Sequence, residues 1–427
     1  MIQAAQRAPV AAPQSTLTGW VVTLAGTGIN LALGVLYTWS VISEAINKAG
    51  WGWSESDRSV PYSVALLVFA FTTILAGRMQ DTWGPRWVAA LGGVLVGIGL
   101  VVASFFQSVA GYVLGFGLLA GAGIGFGYAS ATPPAVKWFS KAKTGLIAGI
   151  VVSGFGLASV YAAPLARALV AAYGLQGMML IFGVAFFIVV VGLAQLLKTP
   201  PAGYVPPEAN VSVASATSAA PAPQRDFTPG EVLRVPHFWL LWAIYAIGAG
   251  AGLMVIGKMA KIVGTQAGLG AETAAILVSV LAIGNGGGRV LAGMLSDRIG
   301  RFRTLLICLL LQAVLLVLLS FTMKGSVLAT VPVLTVFALL LGANYGSNLA
   351  VFPAISKDWF GLKHFGVNYG LLFTAWGVGG FVMSLVAGAT WNDAAGSFGG
   401  AYYLAAALLL VAAVVTQVVK PPKARAA

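Results

Sequence analysis

The sequence predicts an all-α membrane protein whose twelve spanning helices form two pseudo-symmetric six-helix bundles. Three observations carry this. Of 427 residues, 59% are hydrophobic and only 8% charged, with a mean hydropathy of +0.91; a soluble domain carries about 25% charged residues. Apolar runs of about 20 residues, enough to cross a bilayer, occur at roughly 18–41, 60–78, 87–107, 111–134, 144–167, 176–197, 238–263, 272–294, 304–323, 330–354, 366–390 and 400–419. The second half also repeats charged and glycine positions of the first.

In chain order, residues 1–17 hold no apolar core or cleavage site, so the first span is the expected insertion signal and no signal peptide is predicted. That span ends in GVLYTWSV (34–41), and GWGWSESD (50–57) follows as a loop. The second span ends in a polar turn that contains Gly77, Asp81, Gly84 and Arg86, and the third begins just after it. Four-residue glycine spacing in the fourth span (Gly117, Gly121, Gly125) and the fifth (Gly145, Gly149) predicts close helix packing. After the sixth span, residues 199–236 are rich in Pro, Ala and Ser and read as a flexible linker. Its end, FTPGEVLRVPHFW, predicts a short surface helix. The expected units are therefore 1–198, the linker 199–236, and 237–427. The seventh span carries Lys258 and Lys261 near its outer end, and the eighth holds a lone arginine, Arg289. The ninth contains the only cysteine, Cys308, which excludes disulfides and cysteine metal clusters. The tenth, eleventh and twelfth complete the second half.

The repeat is specific. Gly77, Asp81 and Gly84 recur 216 residues on as Gly293, Asp297 and Gly300, beside Arg298, Arg301 and Arg303. Trp138-Phe139, Gly145, Gly149 and Gly156 recur 221 residues on as Trp359-Phe360, Gly366, Gly370 and Gly377. With an even span count both termini share one side. If that side is cytoplasmic, 17 of the 24 Lys and Arg lie in inner loops and tails, four in outer loops, and three (Lys258, Lys261 and Arg289) in spans. Positive-inside bias of this strength predicts the orientation, and the expected location is a bacterial inner membrane. The net charge of +13 is then a topology signal, and no nucleic-acid partner is expected.

The twice-repeated G-x-x-x-D-x-x-G turn, within twelve spans, resembles the major facilitator superfamily. The resemblance covers the whole chain and implies alternating-access transport. It also implies that Gly77, Asp81, Arg86, Gly293, Asp297, Arg298 and Arg301 latch the inner helix ends across the halves. GVLYTWSV, KWFSKAKTGLIAG (137–149) and NYGLLFTAWGVGG (368–380) resemble the oxalate/formate antiporter group, a neighbour of the proton-linked monocarboxylate transporters. That likeness makes Arg289 the carboxylate-binding residue and Tyr37, Tyr128 and Tyr345 cavity aromatics. Two positions depart. The oxalate transporter's eleventh-span lysine is matched by Trp376, and the monocarboxylate transporters' aspartate one turn before the arginine is matched by Asn285.

Read from the residues alone, a buried arginine costs about 2.5–3.5 kcal/mol on insertion scales, so Arg289 needs a cavity or an anion. Its planar fork suits a carboxylate. Asn285, four residues earlier on the same face, either orients the guanidinium, binds substrate or simply packs. Lys258 either snorkels to the outer interface or supplies a second cation. One cation favours a monoanion such as formate, lactate or pyruvate; oxalate requires Lys258 in the site. No carboxylate lies in mid-span, which favours exchange or facilitated transport over proton symport, although a proton stays a candidate partner. No nucleophile, metal site or acid pair lies within the spans, so the chain is expected to be a monomeric transporter in lipid and not an enzyme, with no cofactor.

Overall fold

A computed structural model describes residues 16–201, 203–206, 226–392, 396–419 and 421. The described chain is almost wholly helical. Among the described residues, eleven continuous helices are long and apolar enough to cross a membrane, and one of them is two spans in sequence. Thr144–Ala194 has 51 residues, which would extend about 76 Å as a straight helix, far more than a bilayer needs. Gly174 breaks it, with φ 71 and ψ 174. An L-residue with a side chain rarely adopts that backbone conformation, so a glycine marks the turn between the fifth and sixth spans.

We number the spans α1 (Leu17–Lys48), α2 (Glu55–Trp83), α3 (Pro85–Ser104), α4 (Val109–Lys137), α5 (144–173), α6 (175–194), α7 (Pro236–Gln266), α8 (Gly270–Ile299), α9 (Arg301–Leu319), α10 (Val331–Phe360), α11 (Phe365–Ala389) and α12 (Gly399–Val418). The first span is longer than its apolar run: it tightens into a 3₁₀ segment at Gly34–Thr38 and continues to Lys48. The exposed Glu44–Lys48 pair at 2.7 Å lies in that amphipathic extension, which the apolar count ends before. The predicted surface helix is present as Pro229–Arg234. Thr228 and Glu231 form a reciprocal cap at its start. Just before it, Asp226 accepts hydrogen bonds from the backbone N–H of Leu362 and Lys363, so the linker's end is strapped to the α10–α11 turn.

Spans α1–α6 pack mainly among themselves, as do α7–α12, and α5, α8, α2 and α11 carry most of the contact between the two sets. The turns after α2, α4, α8 and α10 share one end of the molecule, and their cations make it the basic face. The two halves are clasped there twice, with reversed roles. Asp81, at the end of α2, accepts from the N–H of Gly366 and Val367 at the start of α11, both at 3.1 Å. Asp297, at the end of α8, accepts from the N–H of Gly145 (2.9 Å) and Leu146 (2.8 Å) at the start of α5. Each carboxylate therefore meets the positive end of a helix from the other half. Arg301 pairs with Asp297 and reaches Asp358 at 3.1 Å. Lys357, buried, donates to Thr144 at 2.7 Å.

Glycines make the clasps possible. A Cβ on Gly77 would lie 2.2 Å from the Gly366 oxygen, and one on Gly293 would lie 2.1 Å from the Gly145 oxygen. Two residues expected in the clasps sit elsewhere. Arg86 donates to Gln195 within its own half at 2.6 Å and lies 5.3 Å from the Trp87 ring. Arg298 is exposed.

Candidate functional site

Arg289 sits between three close-packed helices. Small residues bring α8 against α10: Cβ atoms on Gly284 and Gly288 would meet the backbone of Leu339 at 2.2 Å and Ala343 at 2.3 Å. On the other side, a Cβ on Gly149 of α5 would lie 2.3 Å from the Arg289 oxygen. The glycine-rich run is thus a packing face, and it leaves the arginine side chain nowhere to go but inward. The side chain is fully buried, with 0% exposure.

Its three nitrogens differ. Nε donates to Asn285 Oδ1 at 3.0 Å. Nη1 donates to the Val152 carbonyl of α5, in the other half. Nη2 is buried and has no hydrogen-bond partner. Asn285, 3% exposed, therefore orients the guanidinium. A buried charged donor left unpaired costs several kcal/mol, and an incoming anion would relieve that cost.

The guanidinium faces a small cavity lined by Tyr37, Phe69, Tyr128, Phe155, Tyr345, Leu349, Phe373 and Trp376. The space has room for about one water molecule. Tyr37 reaches it from the 3₁₀ segment of α1 and meets Phe155 edge-on at 5.3 Å. Tyr128 contacts Phe69, Phe155 and Phe373 with ring centroids at 5.3, 5.6 and 5.0 Å. Trp376 stacks on Phe373 at 5.2 Å and donates from Nε1 to the Tyr345 hydroxyl at 2.8 Å. Having accepted that bond, Tyr345 keeps its own proton to donate.

Tyr37, Tyr128 and Tyr345, the aromatics the resemblance implies, and Trp376 line the cavity together with Arg289. Lys258 does not. It is half-buried on α7 and absent from the cavity wall. Lys261, one turn on, lies 3.7 Å from the Trp391 ring, a cation–π contact near the outer end. Sequence reasoning missed Phe69, Phe155, Leu349, Phe373 and the Val152 carbonyl. Only Phe373 left a trace, since Tyr369, Phe373 and Trp376 share a helical face within NYGLLFTAWGVGG.

Residues 17–289 and 248–427 match the Major Facilitator Superfamily model. The chain belongs to the major facilitator superfamily. Among relatives in this superfamily, the MFS-type transporter YhjX of Escherichia coli is 30% identical over 365 residues, covering 85% of this chain and 86% of that one. The oxalate:formate antiporter of Oxalobacter formigenes is 28% identical over 367 residues, covering 84% of this chain and 83% of its own. The crystal structure of FucP of E. coli in the outward conformation matches the fold with a TM-score of 0.68 at 15% identity, covering 94% of this chain and 99% of that chain. The chain is accordingly a multi-pass membrane transporter and not an enzyme.

Asn285 yields a prediction. Replacing it with Ala frees Nε and loosens the guanidinium. A neutral–charged hydrogen bond contributes about 1.5–3 kcal/mol; with Val152 still holding Nη1, the expected effect is a roughly five- to tenfold rise in the half-saturating substrate concentration. Concentration-dependent counterflow measures this.

Proposed function

We propose that this major facilitator carries small monocarboxylates such as formate, lactate or pyruvate by alternating access, with Arg289 binding the carboxylate. One observation carries the reading: a fully buried guanidinium with an unpartnered Nη2 opens onto an aromatic cavity. A carboxylate would complete its hydrogen bonds and neutralise its charge. Exchange, as in the relative named an oxalate:formate antiporter, is the simplest mode for a site with no buried carboxylate beside the cavity to carry a proton.

A single cation also argues for a monoanion. A dicarboxylate would leave one charge buried and unpaired, at a cost of several kcal/mol. Lys258 is not in the lining to offset it. Trp376 stands where the resembling oxalate transporter has a lysine. The test is Trp376→Lys, assayed by counterflow in proteoliposomes: the ratio of oxalate to lactate transport should rise about tenfold or more. An unchanged ratio would count against a one-cation basis for selectivity.

The positive-inside rule favours the basic face as the cytoplasmic one, in a bacterial inner membrane with both termini inside. On that orientation the two clasps close the cytoplasmic end. The cross-half bonds described above run from that face up to Val152 and Arg289. We read this arrangement as a conformation shut toward the cytoplasm.

A further inference from the structure

Arg289 makes one bond that a carboxylate site does not require. Nη1 donates to the Val152 carbonyl of α5, across the boundary between the halves and outside the cavity wall. Within α5 that carbonyl already faces the N–H of Gly156. A Cβ on Gly156 would lie 3.1 Å from Arg289 Nε and 3.1 Å from the backbone of Gly286, so the missing side chain lets the guanidinium lie against α5. Among the described residues no carboxylate pairs with Arg289. Asn285 and Val152 are the groups that hold it.

The internal repeat shows that packing does not need this bond. At the 216-residue offset Arg289 corresponds to Thr73 of α2, and at the 221-residue offset Gly149 corresponds to Gly370 of α11. The backbone contact is the same in both seams. A Cβ on Gly149 would lie 2.3 Å from the Arg289 oxygen, and one on Gly370 would lie 2.6 Å from the Thr73 oxygen. Thr73, however, turns its hydroxyl back to the Ala70 carbonyl of its own helix at 2.6 Å. At this level the α2–α11 seam closes on glycine and backbone, and the α5–α8 seam adds a charge-assisted bond between the halves.

A carboxylate that grips the fork at its two terminal nitrogens takes Nη2, which has no partner, and competes with Val152 for Nη1. The anion wins that competition, because it brings a full charge where the carbonyl brings a dipole. It also neutralises the guanidinium, which weakens any remaining pull on the carbonyl. Before loading, parting α5 from α8 strips a buried cation of one of its two partners, which is costly. After loading, the carboxylate fills that role and the cost falls away. We infer that the Arg289–Val152 bond is a lock on the basic end that the substrate itself releases, so that the unloaded carrier stays closed there and transport is obligate exchange. This rests on the carboxylate reading above and adds a coupling device to it. A ligand shifts a conformational equilibrium only by binding one state better, and here the anion binds better wherever Nη1 is free of Val152.

Thr73→Cys in a Cys308→Ser background reports opening of the basic end, because Thr73 is 2% exposed beneath the α2–α11 contact. This reporter is labelled from the basic face with an impermeant thiol reagent, in formate or in chloride at equal concentration. Formate should speed labelling at least about fivefold relative to chloride. Adding Arg289→Gln removes the charge and the lock together. Labelling in chloride should then be at least about fivefold faster than in the parent reporter, and formate should no longer change it. Adding Leu157→Ala instead thins the same seam, where Leu157 lies against Gly286, but leaves the bond, so formate should still speed labelling. A second readout uses the unaltered chain: release of labelled formate from proteoliposomes into formate-free buffer should be at least about tenfold slower than exchange against external formate. With formate exchanging, any of four results would overturn the lock and leave the carboxylate reading standing: equal release and exchange, a parent reporter indifferent to formate, an Arg289→Gln rate no faster than the parent, or loss of the formate response in Leu157→Ala. Absence of formate exchange would overturn the carboxylate reading and the lock with it.

Discussion

Arg289→Ala abolishes monocarboxylate transport, with counterflow falling by about a hundredfold or more. Two losses combine. The substrate loses its only cation in the cavity, and losing one partner of a buried, hydrogen-bonded charge pair costs about 2–5 kcal/mol. The halves lose the bond from Nη1 to the Val152 carbonyl. Folding should survive, because no carboxylate is left behind without its partner. Asn285 and Val152 are the groups the side chain holds, and the surrounding helices meet through glycines and backbone. Arg289→Lys separates charge from geometry. An ammonium restores the charge but not the planar fork, so it should recover only a small part of the rate. Purified variants that elute and melt like the wild type, yet exchange no carboxylate, are the expected outcome.

Gly293→Leu has the second largest expected effect. The closed clasp brings Gly293 so near α5 that even a Cβ would lie 2.1 Å from the Gly145 oxygen. The obstacle is backbone, which cannot rotate aside. The closed state of the basic face is therefore disfavoured, whereas an open state would be unaffected by the added side chain. A preference of about 5.5 kcal/mol moves an equilibrium from 1:99 to 99:1, and an overlap with backbone that cannot move aside acts on that scale. Transport should fall at least tenfold, since a carrier that cannot close one end cannot alternate. Thr73, 2% exposed, lies under the matching α2–α11 contact, where a Cβ on Gly370 would meet its backbone oxygen at 2.6 Å. Thr73→Cys in a Cys308→Ser background should react with an impermeant thiol reagent from the basic face at least tenfold faster once Gly293→Leu is added. Unchanged labelling together with normal transport would mean that this clasp does not gate.

Much of this architecture was legible in the sequence because membranes impose strong local rules. Each span had to be apolar over about 20 residues, so the runs 144–167 and 176–197 were separable even though the helix continues through 51 residues. The Asp81 and Asp297 turns were legible because the repeat duplicates them, and the structure gives the duplication its physical sense: each carboxylate caps the helix whose counterpart the other caps. Arg289 stood out because a lone cation in a span demands an explanation. Phe69, Phe155 and Phe373 did not, because an aromatic facing a cavity and one facing lipid look alike along an apolar helix. Lys258 was ambiguous for a related reason. A long side chain near a helix end can point either way, and only the packing of α7 places it outside the cavity wall. Arg86 was misjudged as a clasp residue because spacing shows which turn a side chain occupies, not toward which half it leans.

The central claim is a carboxylate site built on one cation. It is tested most directly by counterflow in proteoliposomes loaded with lactate, with labelled lactate, formate and oxalate supplied outside, each with and without a pH gradient. The account predicts saturable exchange of lactate and formate that is indifferent to the gradient, with oxalate at least tenfold slower. Oxalate exchanging as fast as the monoanions, or no exchange of any of the three, would contradict it.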